Sequence, residues 1–240
     1  MFSSFTEINR HTRDKPWTYE MLDKRQRALA VQVQDGGKGG LLLSEVAPVI
    51  TLGKRSLGEQ SLLLPHSDYE ARGIAIYRTD RGGLATYHGP GQWVLFVVDS
   101  LERLTGDRRG VRKAVEGLLN IARQVAQKYK FDAEIRDRSY AGLWTKRGKI
   151  ASVGVHVDGG VLLHGLALNV FKTETSFFGI KPCGLDAEVD FLIDSPSDAQ
   201  FVSVGEGLLK AARGEFWHGF QKKVGDGDLQ TTKQKFTLTV

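Results

Sequence analysis

Sulfur is scarce in this chain: one cysteine, Cys183, and two methionines among 240 residues. A single thiol excludes an internal disulfide, and with it the small secreted scaffold stapled by bridges. No uncharged apolar run approaches the roughly 20 residues that a membrane-spanning helix needs. The first residues, MFSSFTEINRHTRDK, are polar and mixed in charge, unlike a secretory signal peptide. By elimination the expected location is cytoplasmic, with no membrane partner. A strong charge imbalance is also missing. Lys and Arg number 33 against 28 Asp and Glu, a formal +5. The densest cluster, RDRSYAGLWTKRGK, mixes base with acid and carries no zinc knuckle or RNA-binding aromatic signature, so nucleic acid is not an expected partner.

What remains is an ordinary globular composition, 41% apolar and 25% charged. WTYEMLDKRQRALAVQVQ has helical spacing of its apolar residues and predicts a first amphipathic helix. GLLLSEV and PVITLG read as strands joined by a turn, and SDYEARG as a short helix capped by Ser67. GIAIYRTD alternates as a strand does, and QWVLFVVD suits a strand buried on both faces. RRGVRKAVEGLLNIARQVAQKY predicts a long helix with Val111, Val115, Leu118, Leu119 and Ala122 on one face. SYAGLWT, KIASVGVHV and VLLHGLALNV follow as strands, then a helix over about SVGEGLLKAARGEFWHGFQKK. No linker or repeat divides the chain. The expected fold is a single α/β (α+β) domain over residues 1–240, with a largely antiparallel or mixed sheet flanked by helices and loosely ordered ends at 1–15 and 225–240.

Two stretches ask for more than structure. RGGLATYHGPGQ, Arg81 to Gln92, holds four glycines in twelve residues. Such a turn either offers several backbone N–H groups to one ligand oxygen or is an inert tight connection; Arg81, Tyr87 and His88 would decorate it. In KIASVGVHVDGGVLLHGLALNV a three-residue turn at Asp158, Gly159 and Gly160 would set Val157 opposite Val161 and Lys149 opposite Asn169. Lys149, Ala151, Val153, Gly165, Ala167 and Asn169 would then share a face whose small residues leave room for a ligand, while His164 points away opposite Gly154. Lys149 would stand at the open end of the hairpin, with Cys183 14 residues beyond Asn169. An ammonium beside a thiol favours the thiolate, which a free cysteine, with pKa about 8.5, populates to only a few per cent at neutral pH.

RGGLATYHGPGQ, KIASVG, HGLALNV and KPCGL, in that order and spacing and preceded by PVITLG, resemble the motif set of the lipoate-biosynthesis octanoyltransferases. The resemblance covers about Pro48 to Leu185. It implies a biotin/lipoate-ligase-like catalytic domain and an enzyme that moves octanoyl from acyl carrier protein to a lysine of lipoyl domains, those of 2-oxoacid dehydrogenase subunits and the glycine-cleavage H protein. Cys183 matches the cysteine that accepts the acyl group as a thioester, and Lys149 the lysine that assists it. Arg81, Gly82, Gly83, Leu84, Ala85, Thr86, Tyr87 and His88 match the acyl-site loop. Ser152, Val153, Gly154, His164, Gly165, Leu166 and Ala167 match its other lining, with Ser152 and Gly154 requiring an irregularity in the register above. His88 and His164 would shape the pocket rather than move protons. Neither metal nor other cofactor is expected, because the thioester donor is already activated. The chain departs from the family at FKTETSFFG and after Cys183, in GLDAEVDFLID, where the acceptor would enter. The alternatives are an ATP-dependent lipoate or octanoate ligase, which needs no cysteine, and a non-catalytic basic binding module.

Overall fold

The computed structural model describes residues 5–12, 14–55, 62–136, 141–180 and 188–221, with side chains through Phe216. In chain order the elements are β1 (Phe5–Asn9), α1 (Tyr19–Gln34), β2 (Gly40–Ser44), β3 (Val49–Leu52), α2 (His66–Glu70), β4 (Ala75–Arg78), β5 (Thr86–His88), β6 (Gln92–Ser100), α3 (Leu101–Thr105), α4 (Val111–Ala126), β7 (Glu134–Arg136), β8 (Gly142–Trp144), β9 (Lys149–Asp158), β10 (Val161–Asn169) and α5 (Asp198–Gln221). Seven strands form one sheet in the order β1-β2-β6-β10-β9-β8-β7, and three form a second, β4-β3-β5. β1 runs parallel to β2 and β4 to β3, while the other neighbours are antiparallel, so the expected mixed α/β architecture is the one found.

The apolar run of β6 lies inside the larger sheet, between β2 and β10, and its alternation builds two layers. Trp93, Leu95 and Val97 join Leu41, Leu43, Leu166 and Leu168 in a core shared with Leu118, Ile121 and Val125 of α4 and Phe201, Leu208 and Ala212 of α5. Val94, Phe96 and Val98 point the other way, against Tyr19, Leu22, Leu29, Ala30 and Val33 of α1. The second sheet has its own small core of Ile50, Leu52, Tyr69, Ile74, Ala85 and Tyr87. Helix α4 touches α5 closely because Gly117 has no side chain; a Cβ there would lie 2.9 Å from Phe216 Cε1. Thr18 caps α1 by accepting from Met21 N–H. Ser197 and Gln200 form a reciprocal cap that starts α5 at Asp198, five residues before the Ser203 expected.

Several expectations are corrected. The turn joining β9 to β10 has two residues, Gly159 and Gly160, with φ of 53° and 80° as a type I′ turn demands. Every pairing therefore slips by one: Gly165 opposes Gly154 and His164 opposes Val155. β2 and β3 are not a hairpin but belong to different sheets. Ser67 lies inside α2, which follows Pro65 without a side-chain cap. Val111 is exposed, and the buried stripe of α4 begins at Ala114. Phe5–Asn9, expected to be loose, is an edge strand; residues 225–240 lie outside the described part. No helix among the described residues is long and apolar enough to cross a membrane.

Candidate active site

A small hollow lies on the α1 face of the larger sheet, and the corrected register explains its floor. Gly165 is flanked by Gly154 on β9 and Phe96 on β6, and Ala167 by Ser152 and Val94. Opposed residues share a face, so small side chains from two strands form one shallow trough, and no irregularity is needed to bring Ser152 and Gly154 into it. Tyr19 of α1 and His88 of β5 also line it, stacked with ring centroids 5.3 Å apart. The wall is Arg81–Thr86, and the hollow, partly open, has a volume of about 50 Å³.

That wall is pinned rather than loose. Gly82 N–H donates to Val155 O at 2.9 Å, and a Cβ on Gly154 would stand 3.1 Å from both Arg81 Cδ and Gly82 O. Arg81 does not decorate the loop; it is buried, and its guanidinium donates to Thr51 O (2.7 Å), Thr51 Oγ1 (2.8 Å) and Gly82 O (3.0 Å). The end of the glycine-rich stretch is strand β5, so its side chains alternate: Thr86 and His88 line the hollow, while Tyr87 turns into the second core and shares a hydrogen bond with Thr175 Oγ1. Of the expected lining residues Tyr87 alone lies away from the hollow. Leu84, Ala85, Val153, His164 and Leu166 are all at it.

Behind the floor is a buried polar network. His164 has φ 63°, a left-handed conformation unusual for a strand residue, and this turns its ring toward α1 instead of away from the hollow. Its backbone N–H donates to Gln26 Oε1 at 2.7 Å; its Nδ1 lies 3.1 Å from Gln26 Nε2 and its Nε2 2.7 Å from Asp80 Oδ1. These contacts assign the Nε2–H tautomer, donating to Asp80 and accepting from Gln26. Burial lowers the pKa of His164 against the opposing pull of Asp80, and burial aided by Arg81 pushes His88 down to about 3. Both rings are therefore neutral at neutral pH. The His164 hydrogen bond, with help from Arg27, holds Asp80 well below the ordinary carboxylate range.

Lys149 opens β9, three residues before Ser152, and is not one of the hollow's lining residues. It is buried, and its Nζ donates to Ala141 O at 2.8 Å. Its backbone N–H donates to Glu188 O, and its own carbonyl accepts from Asp190 N–H and from Asn169 Nδ2. Asn169 in turn accepts from Gln92 Nε2, and Gln92 Oε1 meets His88 Nδ1 at 2.7 Å. A buried chain of hydrogen bonds thus joins the hollow's wall to the backbone of Lys149. Cys183 lies outside the described residues, five positions before Glu188.

Residues 20–209 match the family model for the lipoyl protein ligase A/B catalytic domain. An octanoyltransferase from Magnetococcus marinus is 39% identical over 169 residues, 70% of this chain and 74% of that protein. One from Desulfovibrio desulfuricans is 34% identical over 226 residues, 92% of each. The chain belongs to the lipoyl protein ligase A/B catalytic-domain family. It is an acyltransferase, as the motif resemblance implied. Among solved structures, protein Ta0514 from T. acidophilum with bound lipoic acid is similar in fold, with TM-score 0.67 at 15% identity, covering 90% of this chain and 86% of that one. Lipoate-protein ligase A bound with ATP reaches 0.52 at 15% identity, covering 86% and 92%. Within this family fold, sequence reasoning missed Tyr19, Val94 and Phe96 at the hollow and Gln26 and Asp80 behind it. Val94 and Phe96 were findable from the alternation of β6. Gln26 carried a signal too, a polar residue on the buried stripe Leu22, Gln26, Leu29, Val33.

Proposed function

We propose that this acyltransferase carries an octanoyl group from acyl carrier protein to a lysine of lipoyl domains, among them those of 2-oxoacid dehydrogenase subunits and the glycine-cleavage H protein, by way of a thioester on Cys183. The Cys183 thiolate attacks the thioester carbonyl of the donor; the carbon–sulfur bond to the phosphopantetheine breaks, and Lys149 gives its proton to the departing thiol. The neutral amine of the acceptor lysine then attacks the acyl-enzyme. A carbon–nitrogen bond forms, the bond to Sγ breaks, and Lys149 takes the amine's proton, which restores thiolate and ammonium. The donor is already activated, so the scheme calls on no nucleotide and no metal. A modest positive charge would suit acidic carrier proteins.

One observation carries this reading: a trough of glycine, alanine and serine ends three residues from a buried lysine, Lys149, that is hydrogen-bonded to Glu188. The octanoyltransferase relatives support the acyl group. In this reading the partly open hollow beside Tyr19 and Phe96 is where the acyl chain lies.

Intact-protein mass after incubation with octanoyl carrier protein, with and without ATP, tests the proposal. A single octanoyl adduct independent of ATP is expected, lost in Cys183→Ser. In Lys149→Ala, alkylation of Cys183 should require a higher pH. An adduct retained elsewhere, or acylation of a lipoyl domain by free octanoate that requires ATP, would overturn it.

A further inference from the structure

Trp144 is buried, 3% exposed, and among the described residues it is a member of none of the three apolar clusters. Its indole faces cations. Lys149 Nζ lies 5.5 Å from the ring centroid and Arg136 Cζ 5.0 Å. The local fold is built to make this contact. Trp144 is the β8 partner of Lys149, but Leu143 pairs with Ala151, so β9 carries one extra residue, Ile150. This bulge resets the alternation: Ile150 and Ala151 both enter the larger core, and Lys149 is left to run back along β8. Gly142 makes the path possible, since a Cβ there would stand 2.3 Å from Lys149 Cε. At the end of that path Ala141 O accepts the ammonium at 2.8 Å.

We propose that Trp144 is a positioning residue for Lys149, its π face and the Ala141 carbonyl together forming a station for the ammonium. The face of an indole attracts a cation and does little for a neutral amine, so it favours the protonated lysine that the first half-reaction consumes. The other charged groups near the station remain in any Trp144 variant. Arg136 rests on the same ring and pairs with Glu134; Glu188 and Asp190 flank the Lys149 backbone, and Asp190 is held by Thr145 and Arg147. Because Arg136 shares the ring, Arg136→Gln is the control: it should leave unmoved the pH limb that Trp144→Leu displaces. The inference rests on Lys149 acting as the acid–base of the reaction proposed above.

The test is the pH profile of single-turnover acylation of Cys183, read by intact mass with octanoyl carrier protein in excess, for wild type, Trp144→Phe and Trp144→Leu. The basic limb marks loss of the ammonium's proton. Trp144→Leu should move that limb to lower pH by about 0.4 to 1.5 units, and Trp144→Phe, which keeps a weaker π face, by less. Rates that fall with no movement of the limb would make Trp144 merely structural and overturn the inference. If the Leu variant does not fold, the Phe variant decides by the same criterion, a shifted limb supporting the inference and an unshifted one ending it. Absence of any Cys183 adduct in the wild type is a separate failure; it would remove the acyl-transfer reading, and this inference with it.

Discussion

The two faces of the seven-stranded sheet are built from the same strands and solve different problems. Against α4 and α5 the sheet presents Leu41, Leu43, Trp93, Leu95, Leu166 and Leu168 to an apolar layer. Against α1 it presents Phe96 and Val94 together with Gly165, Ala167 and His164, and α1 answers with Asp23 and Gln26 beside its leucines. Apolar packing tolerates many arrangements of similar volume, whereas a buried polar network works only when every member finds its partner. The first face supplies stability; the second gives up some of it, including a left-handed histidine, to fix the shape of a hollow. The hollow lies on the face where the sequence breaks its own apolar pattern.

The largest expected effect falls on the apolar face. Leu208→Ala, at a fully buried position, should cost about 2–5 kcal/mol in urea unfolding while leaving the acylation rate of the folded fraction unchanged. A changed rate would show that the two faces are not independent. Next comes acid. Between pH 6.5 and about 3 the unfolded chain protonates His88 while the folded chain does not, so stability falls as pH falls, by about 1.4 kcal/mol per unit from this group. His164 acts in the same direction, and Asp80 adds to the loss below its unfolded value of about 3.9, as its lowered carboxyl is protonated. Urea midpoints at pH 7, 5.5 and 4.5 should trace this decline, and His88→Gln should flatten it. A slope unchanged in that variant would place the acid sensitivity elsewhere.

Smaller again is Gln26→Leu, which strands the His164 N–H and should cost about 1–3 kcal/mol. Because the same glutamine orients the floor of the hollow, acylation should fall by more than the lost stability explains, the reverse of Leu208→Ala. At the far end of the scale, Arg112→Ala removes an exposed ion pair with Glu116 one helical turn away and should change stability by no more than about 0.5 kcal/mol. Thermal melts at equal salt would check that surface charge, unlike the buried network, contributes little.

Much of this molecule is legible from local pattern. The alternation of QWVLFVVD and the stripe of WTYEMLDKRQRALAVQVQ report burial directly, because a strand repeats every two residues and a helix every 3.6. The small-residue trough was legible in kind but not in register. Asp158-Gly159-Gly160 supports either a two- or a three-residue turn, and one residue of difference exchanges every partner and sends His164 to the other neighbour. Tyr19 gave no sign of its role, since an aromatic in the first turn of a helix is usually simple packing.

The sequence by itself determined the family, through four motifs in fixed order, and the layering of helices on a mixed sheet, through periodicity. It also determined that any thiol chemistry in this chain would be that of Cys183. Only the tertiary structure decided where each period begins. A two-glycine turn set the β9–β10 register, a bulge at Ile150 laid Lys149 against Trp144, and a left-handed His164 joined α1 to the floor of the hollow. Periodicity states which residues share a face, but a turn, a bulge or a reversed φ shifts its origin, and these are settled by packing between residues distant in the chain.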